Sequence, residues 1–439
     1  MAYHDNQDIT YSLWQKTAPK AHSYDRLSSA EEVDVVIIGG GFTGLSAALH
    51  LAEAKHEVAL IEAKEIGWGA SGRAGGQVNP ALPVKTPSEL FAHYPPHFAE
   101  RLAKLSIGSA DFLFDLITRY HIDCDARQTG WIRALHSENA LKNATLSAST
   151  WQEYGADMQL LSRDETSELT GTDAYKSAVL MPSGGLVHPL KLARGLAKIA
   201  HSKGAKLYEN SPLKSLSRQS EGWCIQTEEG SISCRMVLFA TNAYSGAFGN
   251  APHIFEKQIH DCIVRASPIQ IATDPLPSDI ADKILPKGHS ISDSRRMIMY
   301  ARREPDNRIV YGSIGQRSSS GVLSGYEWLE KDARRVFTAL EDVQWPYRWG
   351  GQIAITDTHL PQLIQLADGV IAGFGYNGRG VAMAHVMGSV LADYARGIPK
   401  EDLPLPLRSA KNFAFGSLKQ RGLNSYITMA KWLDKWEQI

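Results

Sequence analysis

The sequence predicts an α/β protein in which a dinucleotide-binding fold is interleaved with a β-rich lobe. Two of the observations behind this prediction are glycine-rich turns between an apolar run and a helix, one near each end of the chain. The third is a long central region in which strand-like runs alternate with turns. Several separate segments of the chain therefore form the nucleotide-binding layer, and the segments between them form the lobe.

The first unit of the predicted fold begins with the run at residues 33–38, which is short, β-branched and apolar. Those properties are typical of a buried parallel strand. Apolar residues then recur at helical spacing from Leu45 to Ala52, and a second strand is predicted at residues 58–61. The N-terminal region is therefore a βαβ unit.

The turn in this unit carries the pattern Gly-x-Gly-x-x-Gly at Gly39, Gly41 and Gly44, and Glu62 closes the second strand. In dinucleotide sites such glycines allow the tight turn, the approach of the pyrophosphate to the backbone, and close packing of helix on sheet. The acid accepts hydrogen bonds from the adenosine ribose, and its charge would disfavour a 2′-phosphate. A purely structural turn is the alternative, but the register of strand, glycines, helix and acid favours a nucleotide.

Two further glycine-rich stretches distinguish a flavin from a nicotinamide cofactor. Residues 67–77 follow Glu62, where a longer cofactor would continue, and residues 373–380 form a second strand-to-helix turn. A helix N-terminus at residues 378–380 would direct its partial positive charge at the flavin pyrimidine oxygen. An ordinary βα turn is the alternative for this second stretch.

The remaining segments complete the predicted organisation. Helices are predicted at 87–127, 138–170, 190–201, 326–340 and 381–394, strands at 130–135, 206–209, 236–241 and 369–372, a hairpin at 223–235, and strand-like runs over 254–315. The predicted division is an N-terminal arm at 1–30 that lies on the domain surface and is anchored by one aromatic, Trp14; an FAD-binding domain at 31–95, 182–250 and 350–439; and a substrate domain at 96–181 and 251–349.

Composition excludes several other classes of protein. Lys and Arg number 46 against 47 Asp and Glu, so no global charge favours a nucleic acid or a membrane surface. Only residues 33–52 have the length of a membrane span, and they contain Asp34, His50 and three consecutive glycines. The four cysteines have neither zinc-type spacing nor the density of a disulfide framework. We therefore expect no metal site and free thiols in a cytoplasmic protein.

Taken together, these motifs resemble the FAD-dependent D-amino-acid oxidase superfamily, in particular its γ-glutamylputrescine oxidoreductase-like members. The resemblance extends from about Trp14 to Gly397, and its specific parts are the glycine motifs at 38–48, 69–77 and 375–381. It implies that FAD is bound by the following residues: Gly39, Gly41, Phe42, Thr43, Gly44, Glu62, Ala63, Ser71, Gly72, Arg73, Gly76, Gln77, Ala240, Thr241, Gly375, Asn377, Gly378, Gly380 and Val381.

The sequence departs from its look-alikes at two places. Relatives that attach FAD covalently use a cysteine before the C-terminal glycine motif or a histidine near Ser71. In this sequence, residues 349–358 and 71–77 contain neither a cysteine nor a histidine. The resemblance therefore implies noncovalent FAD. At Arg379, many relatives have a histidine between two glycines, so the role of that histidine does not transfer unchanged.

The resemblance implies oxidation of the C–N bond of an amine or amino acid to an imine, by hydride transfer to the flavin, followed by hydrolysis. Such chemistry depends on orienting a neutral amine, and it does not require a catalytic triad. The predicted catalytic residues are Arg379, Arg302, Tyr300 and His359, with Tyr311 and Asn79 as further candidates for substrate contact.

Alternatives remain open at this point. Arg302 either pairs with a substrate carboxylate or belongs to a solvated strand edge, and His359 is either catalytic or an ordinary hydrogen-bonding loop residue. Electrons from the flavin go to oxygen, or to a carrier or quinone if the protein is a dehydrogenase. The third possibility is a non-catalytic scaffold stabilised by FAD.

Overall fold

The computed structural model describes residues 12–247, 253–410 and 416–437. The helices within these ranges are α1 Leu13–Thr17, α2 Phe42–Glu53, α3 Pro87–His93, α4 Pro96–Ile107, α5 Ser109–Arg119, α6 Glu138–Gln152, α7 Arg163–Thr170, α8 Pro189–Ser202, α9 Ile254–Asp261, α10 Ser278–Ala281, α11 Tyr326–Val336, α12 Gly380–Ala395 and α13 Gly416–Glu437.

The strands alternate with these helices. They are β1 Ala30–Ile38, β2 Val58–Ile61, β3 Gln77–Val78, β4 Trp131–Leu135, β5 Gln159–Leu161, β6 Ser177–Met181, β7 Gly185–Leu186, β8 Lys206–Tyr208, β9 Ser215–Gln219, β10 Gly222–Gln226, β11 Ser231–Phe239, β12 Ile263–Ala272, β13 Ser290–Asp293, β14 Tyr300–Arg303, β15 Ile309–Arg317, β16 Leu323–Ser324, β17 Tyr347–Gly350, β18 Ile353–Thr356, β19 Gln362–Ala367, β20 Val370–Phe374 and β21 Leu407–Ser409.

The first sheet is the predicted nucleotide-binding layer, with the strand order β21-β19-β20-β11-β1-β2-β8. Its central strands β20, β11, β1, β2 and β8 run parallel, while β19 is antiparallel to β20. The predicted hairpin forms β10 and β11, and β9 extends it. The apolar runs lie in the centre of this sheet because only their side chains can be buried on both faces.

The second sheet is the β-rich lobe, with the order β17-β12-β15-β14-β13-β4-β6-β5. Apart from the parallel pair β13–β4, the neighbouring strands on this path are antiparallel. Helix α11 packs its apolar face on this sheet, in a cluster that includes Leu329, Val336 and Tyr311. The chain forms this sheet in two passes, as the interleaved organisation requires.

Helices α2 and α12 pack together at an unusually close point. A Cβ atom on Gly388 would lie 2.6 Å from the carbonyl oxygen of Thr43 and 2.5 Å from Cβ of Ser46. Only glycine allows the two helices to approach this closely. Both helices begin at glycine-rich turns, so this contact helps to hold their N-termini side by side.

The structure corrects several details of the predicted elements. Residues 254–261 form helix α9 where strand-like runs were predicted, and β5 interrupts the helices predicted at 138–170. Strands β17 and β18 pair with β12, so the second sheet continues past the predicted boundary at residue 349. Helix α13 was not predicted.

Parts of the predicted domains lie outside the described residues, namely 1–11 of the arm, 248–252 at one domain boundary, and 411–415 and 438–439 near the C-terminus. Within the described ranges, no helix is long and apolar enough to cross a membrane, and no cluster of three or more His, Cys, Asp and Glu side chains could hold a metal ion. Trp14 is fully buried in a cluster with Leu190 and Trp349, so this one aromatic side chain anchors the described part of the arm.

Candidate functional site

A cavity of about 610 Å³ lies where the central parallel strands of the first sheet end. We call its part lined by Gly39, Glu62, Ser71 and Ala240 the glycine end, and its part lined by Trp131, Arg133, Ser292 and Arg379 the arginine end. The first residues of α2 and α12 also line it, so two helix N-termini meet the same space. In open α/β sheets, ligands bind at this edge.

The geometry of the first turn explains its glycines. Gly39 has φ of 111°, and a Cβ atom there would lie 3.1 Å from the carbonyl oxygen of Ala240. A Cβ atom on Gly44 would lie only 2.0 Å from the carbonyl oxygen of Gly39. Ser71 accepts a hydrogen bond of 2.9 Å from the N–H of Phe42, which joins the start of α2 to the second glycine-rich stretch.

Glu62 closes the glycine end. Its two carboxylate oxygens accept hydrogen bonds from the backbone N–H groups of Gly40 at 2.7 Å and Lys64 at 2.9 Å. Burial raises the pKa of this carboxyl, and the two N–H donors oppose the shift. Each oxygen retains a second acceptor position, and Glu62 lines the cavity, as a ribose ligand must.

The second glycine-rich stretch is held from behind by side chains of distant elements. The carbonyl of Arg73 accepts hydrogen bonds from Gln270 at 2.6 Å and Trp349 at 3.1 Å, and that of Ala74 accepts one from Trp14 at 2.8 Å. In a planar trans peptide, the following N–H points to the opposite side. These carbonyl contacts therefore direct backbone N–H groups away from the supporting side chains.

The third glycine-rich stretch begins where β20 ends. Gly375 has φ of 83°, and its N–H donates to the side chain of Asn242 at 3.1 Å. The amide of Asn377 donates to the carbonyl of Gly375 at 2.6 Å and accepts from the N–H of Thr356 at 2.9 Å. Asn377 lines the cavity, but its side chain mainly shapes the turn before α12.

The arginine end contains two partly buried guanidinium groups. Arg379 lies over the ring of Trp131, 4.7 Å from its centroid, and donates to the carbonyl of Pro80. Burial and the nearby charge of Arg133 lower the pKa of Arg379, and burial likewise lowers the pKa of Arg133, against the opposing charge of Asp293. Within the described chain, neither guanidinium is ion-paired with a carboxylate.

Most of the residues predicted to bind the cofactor come together at this cavity. Those that line it are Gly39, Gly41, Phe42, Thr43, Glu62, Ala63, Ser71, Arg73, Gly76, Gln77, Ala240, Thr241, Asn377, Gly378, Gly380 and Val381. Gly44, Gly72 and Gly375 do not line it. Gly44 and Gly72 are required for packing, since a Cβ atom on Gly72 would lie 2.1 Å from the carbonyl oxygen of Gly67.

The placement of Arg302 corrects both interpretations of that residue. It is 1% exposed, so it is not at a solvated strand edge, and it does not line the cavity. Its guanidinium is ion-paired with Glu304 and donates to the carbonyls of Gly75 and Val187 at 3.1 and 2.7 Å. Arg302 therefore supports the second glycine-rich stretch from behind and is not available to a substrate.

The other predicted catalytic residues differ in position. Tyr300 and His359 line the cavity with Arg379, whereas Tyr311 is buried against Asp332 at 2.7 Å and does not reach it. Burial is also the main cause that lowers the pKa of His359, so its imidazole is neutral near pH 7. Asn79 lines the cavity, as expected for a residue beside the second glycine-rich stretch.

Sequence reasoning missed several residues of the arginine end. Trp131 and Arg133 alternate on strand β4, and this alternation was the one available signal that an arginine shares a strand face with a cavity-lining aromatic. Leu423, Tyr426 and Ile427 of α13 also line the cavity, and no motif marks them.

The residues present fit FAD. Glycines at positions 39 and 44 leave room that a Cβ atom would fill, two helix N-termini face the space, and Glu62 stands where β2 ends. The cavity continues beyond these groups to the second and third glycine-rich stretches, as a two-part cofactor requires. Within the described residues, no cysteine lines it.

Comparison with known proteins is consistent with this geometry. The profile of the family described as DAO, FAD dependent oxidoreductase, matches residues 34–394. Gamma-glutamylputrescine oxidoreductase of Escherichia coli (strain K12) is 31% identical over 395 residues, which cover 88% of this chain and 89% of that protein.

Solved structures show the same fold. Glycine oxidase from Geobacillus kaustophilus has a TM-score of 0.66 at 22% identity, covering 83% of this chain and 95% of that one. L-proline dehydrogenase from P. horikoshii has a TM-score of 0.69 at 21% identity, covering 85% and 96%. At these identities the similarity is one of fold alone.

Proposed function

Since the chain belongs to the DAO family of FAD-dependent oxidoreductases, we propose that it oxidises the C–N bond of an amine that also carries a carboxylate. FAD, when bound, accepts the hydride from the carbon that bears the nitrogen. The product is an imine, which water hydrolyses to a carbonyl compound and an amine or ammonia. The names of the relatives, which include an oxidoreductase of an amine and an oxidase of an amino acid, support this reaction class.

The proposal that the substrate has a carboxylate rests on the pair Arg133 and Arg379. Placing a guanidinium out of bulk water without a carboxylate partner is unfavourable, so a protein rarely retains two such groups unless an anion completes them. A guanidinium binds a carboxylate through paired N–H donors, which orients the bound molecule as well as attracting it. An amino acid bound in this way has its nitrogen-bearing carbon next to the anchored carboxylate.

Other residues of the site orient the reaction. Gln77 lines the cavity, and its amide donates to the carbonyls of Ile291 and Ala301 at 2.9 and 3.0 Å, which fixes the second glycine-rich stretch against β13 and β14. The hydroxyl of Tyr300 donates to the carbonyl of Ile269 at 3.4 Å, so Tyr300 presents mainly its ring to the cavity. These contacts favour positioning of a neutral amine over proton transfer by a strong base.

The test is anaerobic bleaching of the yellow holoenzyme by matched pairs of compounds. Each pair joins an amino acid to the amine that lacks its carboxylate: glycine with methylamine, proline with pyrrolidine, and phenylalanine with 2-phenylethylamine. We expect bleaching by at least one acid and by none of the matched amines. Bleaching by the amines alone would contradict the proposal that the substrate has a carboxylate. A flavin that no compound bleaches would favour a non-catalytic scaffold.

The electron acceptor and the location of the protein complete the proposal. Rapid formation of peroxide in air would identify an oxidase, whereas slow reoxidation with fast dye reduction would identify a dehydrogenase that uses a carrier. A cytoplasmic location is supported by the four cysteines, all of which are free thiols.

A further inference from the structure

Helix α13 lies beyond the part of the chain that the family profile matches, which ends at residue 394. Leu423, Tyr426 and Ile427 of this helix nevertheless line the cavity. This wall is therefore added to the family domain by the C-terminal segment. A feature of this kind is suited to distinguishing one substrate of the family from another.

Side-chain amides hold α13 on the second sheet. Gln420 accepts from the N–H of Arg265 at 2.7 Å and donates to its carbonyl at 3.0 Å. Asn424 forms the same pair of contacts with the backbone of Arg317, at 3.4 and 2.9 Å. Each amide thus satisfies both backbone groups of one residue, so the position of the helix along β12 and β15 is defined.

Asp434 connects the helix to the loop between β13 and β14. It is 5% exposed, and its carboxylate accepts from the N–H groups of Arg296 at 3.1 Å and Met297 at 2.7 Å. Residues 296–298 of this loop line the cavity. Helix α13 therefore both supplies a wall and positions a second one.

These two walls are apolar where they meet. Met297 and Ile427 are buried together, with Leu423 and Ile314 packed against them. Tyr426 also lines the cavity and is 50% exposed, which places it at the opening.

The same loop connects these apolar walls to the arginine end. Ser292, the neighbour of Arg133 in the register of β13 and β4, lines the cavity five residues before Met297.

We propose that α13 forms an apolar subsite for the part of the substrate that extends away from the carboxylate. The substrate is then an amino acid or N-substituted amino acid with an alkyl or aromatic chain, and Leu423, Tyr426 and Ile427 determine this preference. The inference rests on the proposed function, because it takes the carboxylate as bound by Arg133 and Arg379. It adds the class of side chain, which the family alone leaves open.

The experiment measures binding of straight-chain carboxylates, from acetate to octanoate, to the FAD-loaded enzyme. Each dissociation constant is obtained from the change in flavin absorbance. We expect affinity to rise about fourfold for each added methylene that the subsite covers. In the double variant Leu423→Ala/Tyr426→Ala, this dependence on chain length should be largely lost, whereas the affinity for acetate should not change.

Met429→Ala is the matched control, because Met429 lies on the same helix, is 51% exposed and does not line the cavity. It should retain the full dependence on chain length, and thermal unfolding of each variant checks that α13 remains in place. Equal binding of all carboxylates by the wild type, or a chain-length dependence that survives in the double variant, would overturn the subsite alone. If no carboxylate of any length binds, the anionic site of the proposed function fails as well, and the inference falls with it.

Discussion

The two ends of the cavity are built in different ways. The glycine end is lined largely by backbone and small residues from short, continuous stretches of sequence, such as Gly39 to Thr43. The arginine end and the adjoining α13 wall are lined by large side chains from separate elements: Trp131 and Arg133 on β4, Arg379 before α12, and Tyr426 on α13. A cofactor shared by a family is contacted by a shared backbone, whereas a substrate is selected by side chains that a new element can supply.

Arg302 and Arg379 illustrate this difference within one residue type. Arg302 is ion-paired with Glu304, donates to two backbone carbonyls and so supports the second glycine-rich stretch. Arg379 has a carbonyl and the ring of Trp131, and its charge is left for a ligand. We therefore expect Arg302 to matter for stability and Arg379 for reactivity.

The substitution Arg302→Met is expected to have the largest effect, a loss of stability. This change leaves the carboxylate of Glu304 buried without its cation, and breaking a buried pair in this way costs about 3–5 kcal/mol of the free energy of unfolding. Denaturant unfolding of the apoprotein measures it. Arg218→Met is the control, because Arg218 also lies over a tryptophan but is exposed, and it should change stability by no more than about 0.5 kcal/mol. Equal stability of the two variants would remove the distinction drawn for Arg302.

Arg379→Met is expected to have the next largest effect, and on reactivity instead. Loss of a charged contact in the cavity should lower the rate of flavin reduction by about 100-fold. The stability of the apoprotein should not fall, because the substitution removes a partly buried cation that has no acidic partner. Stopped-flow reduction of the flavin and denaturant unfolding give the two readouts. An unchanged rate would show that this arginine does not contact the substrate or the flavin.

Glu62→Gln tests the glycine end. A carboxylate that accepts from the ribose and from the N–H groups of Gly40 and Lys64 loses charge-assisted bonding of about 1.5–3 kcal/mol, so FAD should bind about 10- to 100-fold more weakly. Fluorescence titration of the apoprotein with FAD measures the dissociation constant. Glu209→Gln is the matched control, since Glu209 is a buried carboxylate that also accepts from two backbone N–H groups, those of Tyr24 and Ile66, but does not line the cavity. An equal loss of affinity in both variants would argue against a ribose contact.

The smallest expected effect is that of His359→Asn on the pH profile. Burial and nearby lysines lower the pKa of His359 below the ordinary histidine value of about 6.5. Its imidazole is therefore neutral at pH 7 and does not change charge between pH 7 and 10. The rate of flavin reduction at low substrate should still rise with pH, because the substrate amine loses its proton and the lone pair becomes available. The profile should therefore shift between two substrates whose amines differ in pKa, and stay in place in the variant. A profile that shifts with the variant would assign the titration to His359.

The motifs determine much of this fold. The FAD dependence and the family, predicted from Gly39 to Gly44, Glu62 and residues 375–381, are confirmed by the family profile over residues 34–394. The interleaving of the two layers is confirmed as well, since the strands of each sheet come from separated segments. These features can be predicted from the sequence because they follow from local steric rules. Only glycine permits the φ angle of Gly39 or the close contact at Gly44.

The tertiary structure alone decided which side chains face the cavity. Arg302 and Arg379 are both arginines beside strand or turn patterns, and only the packing of Glu304 against one and of Trp131 against the other separates their roles. The contribution of α13 depends on contacts with backbone more than 100 residues away in sequence, which leave no local signal. Turn geometry is a property of neighbouring residues and is written in the sequence, whereas the lining of a cavity is a property of distant residues and exists only once the chain has folded.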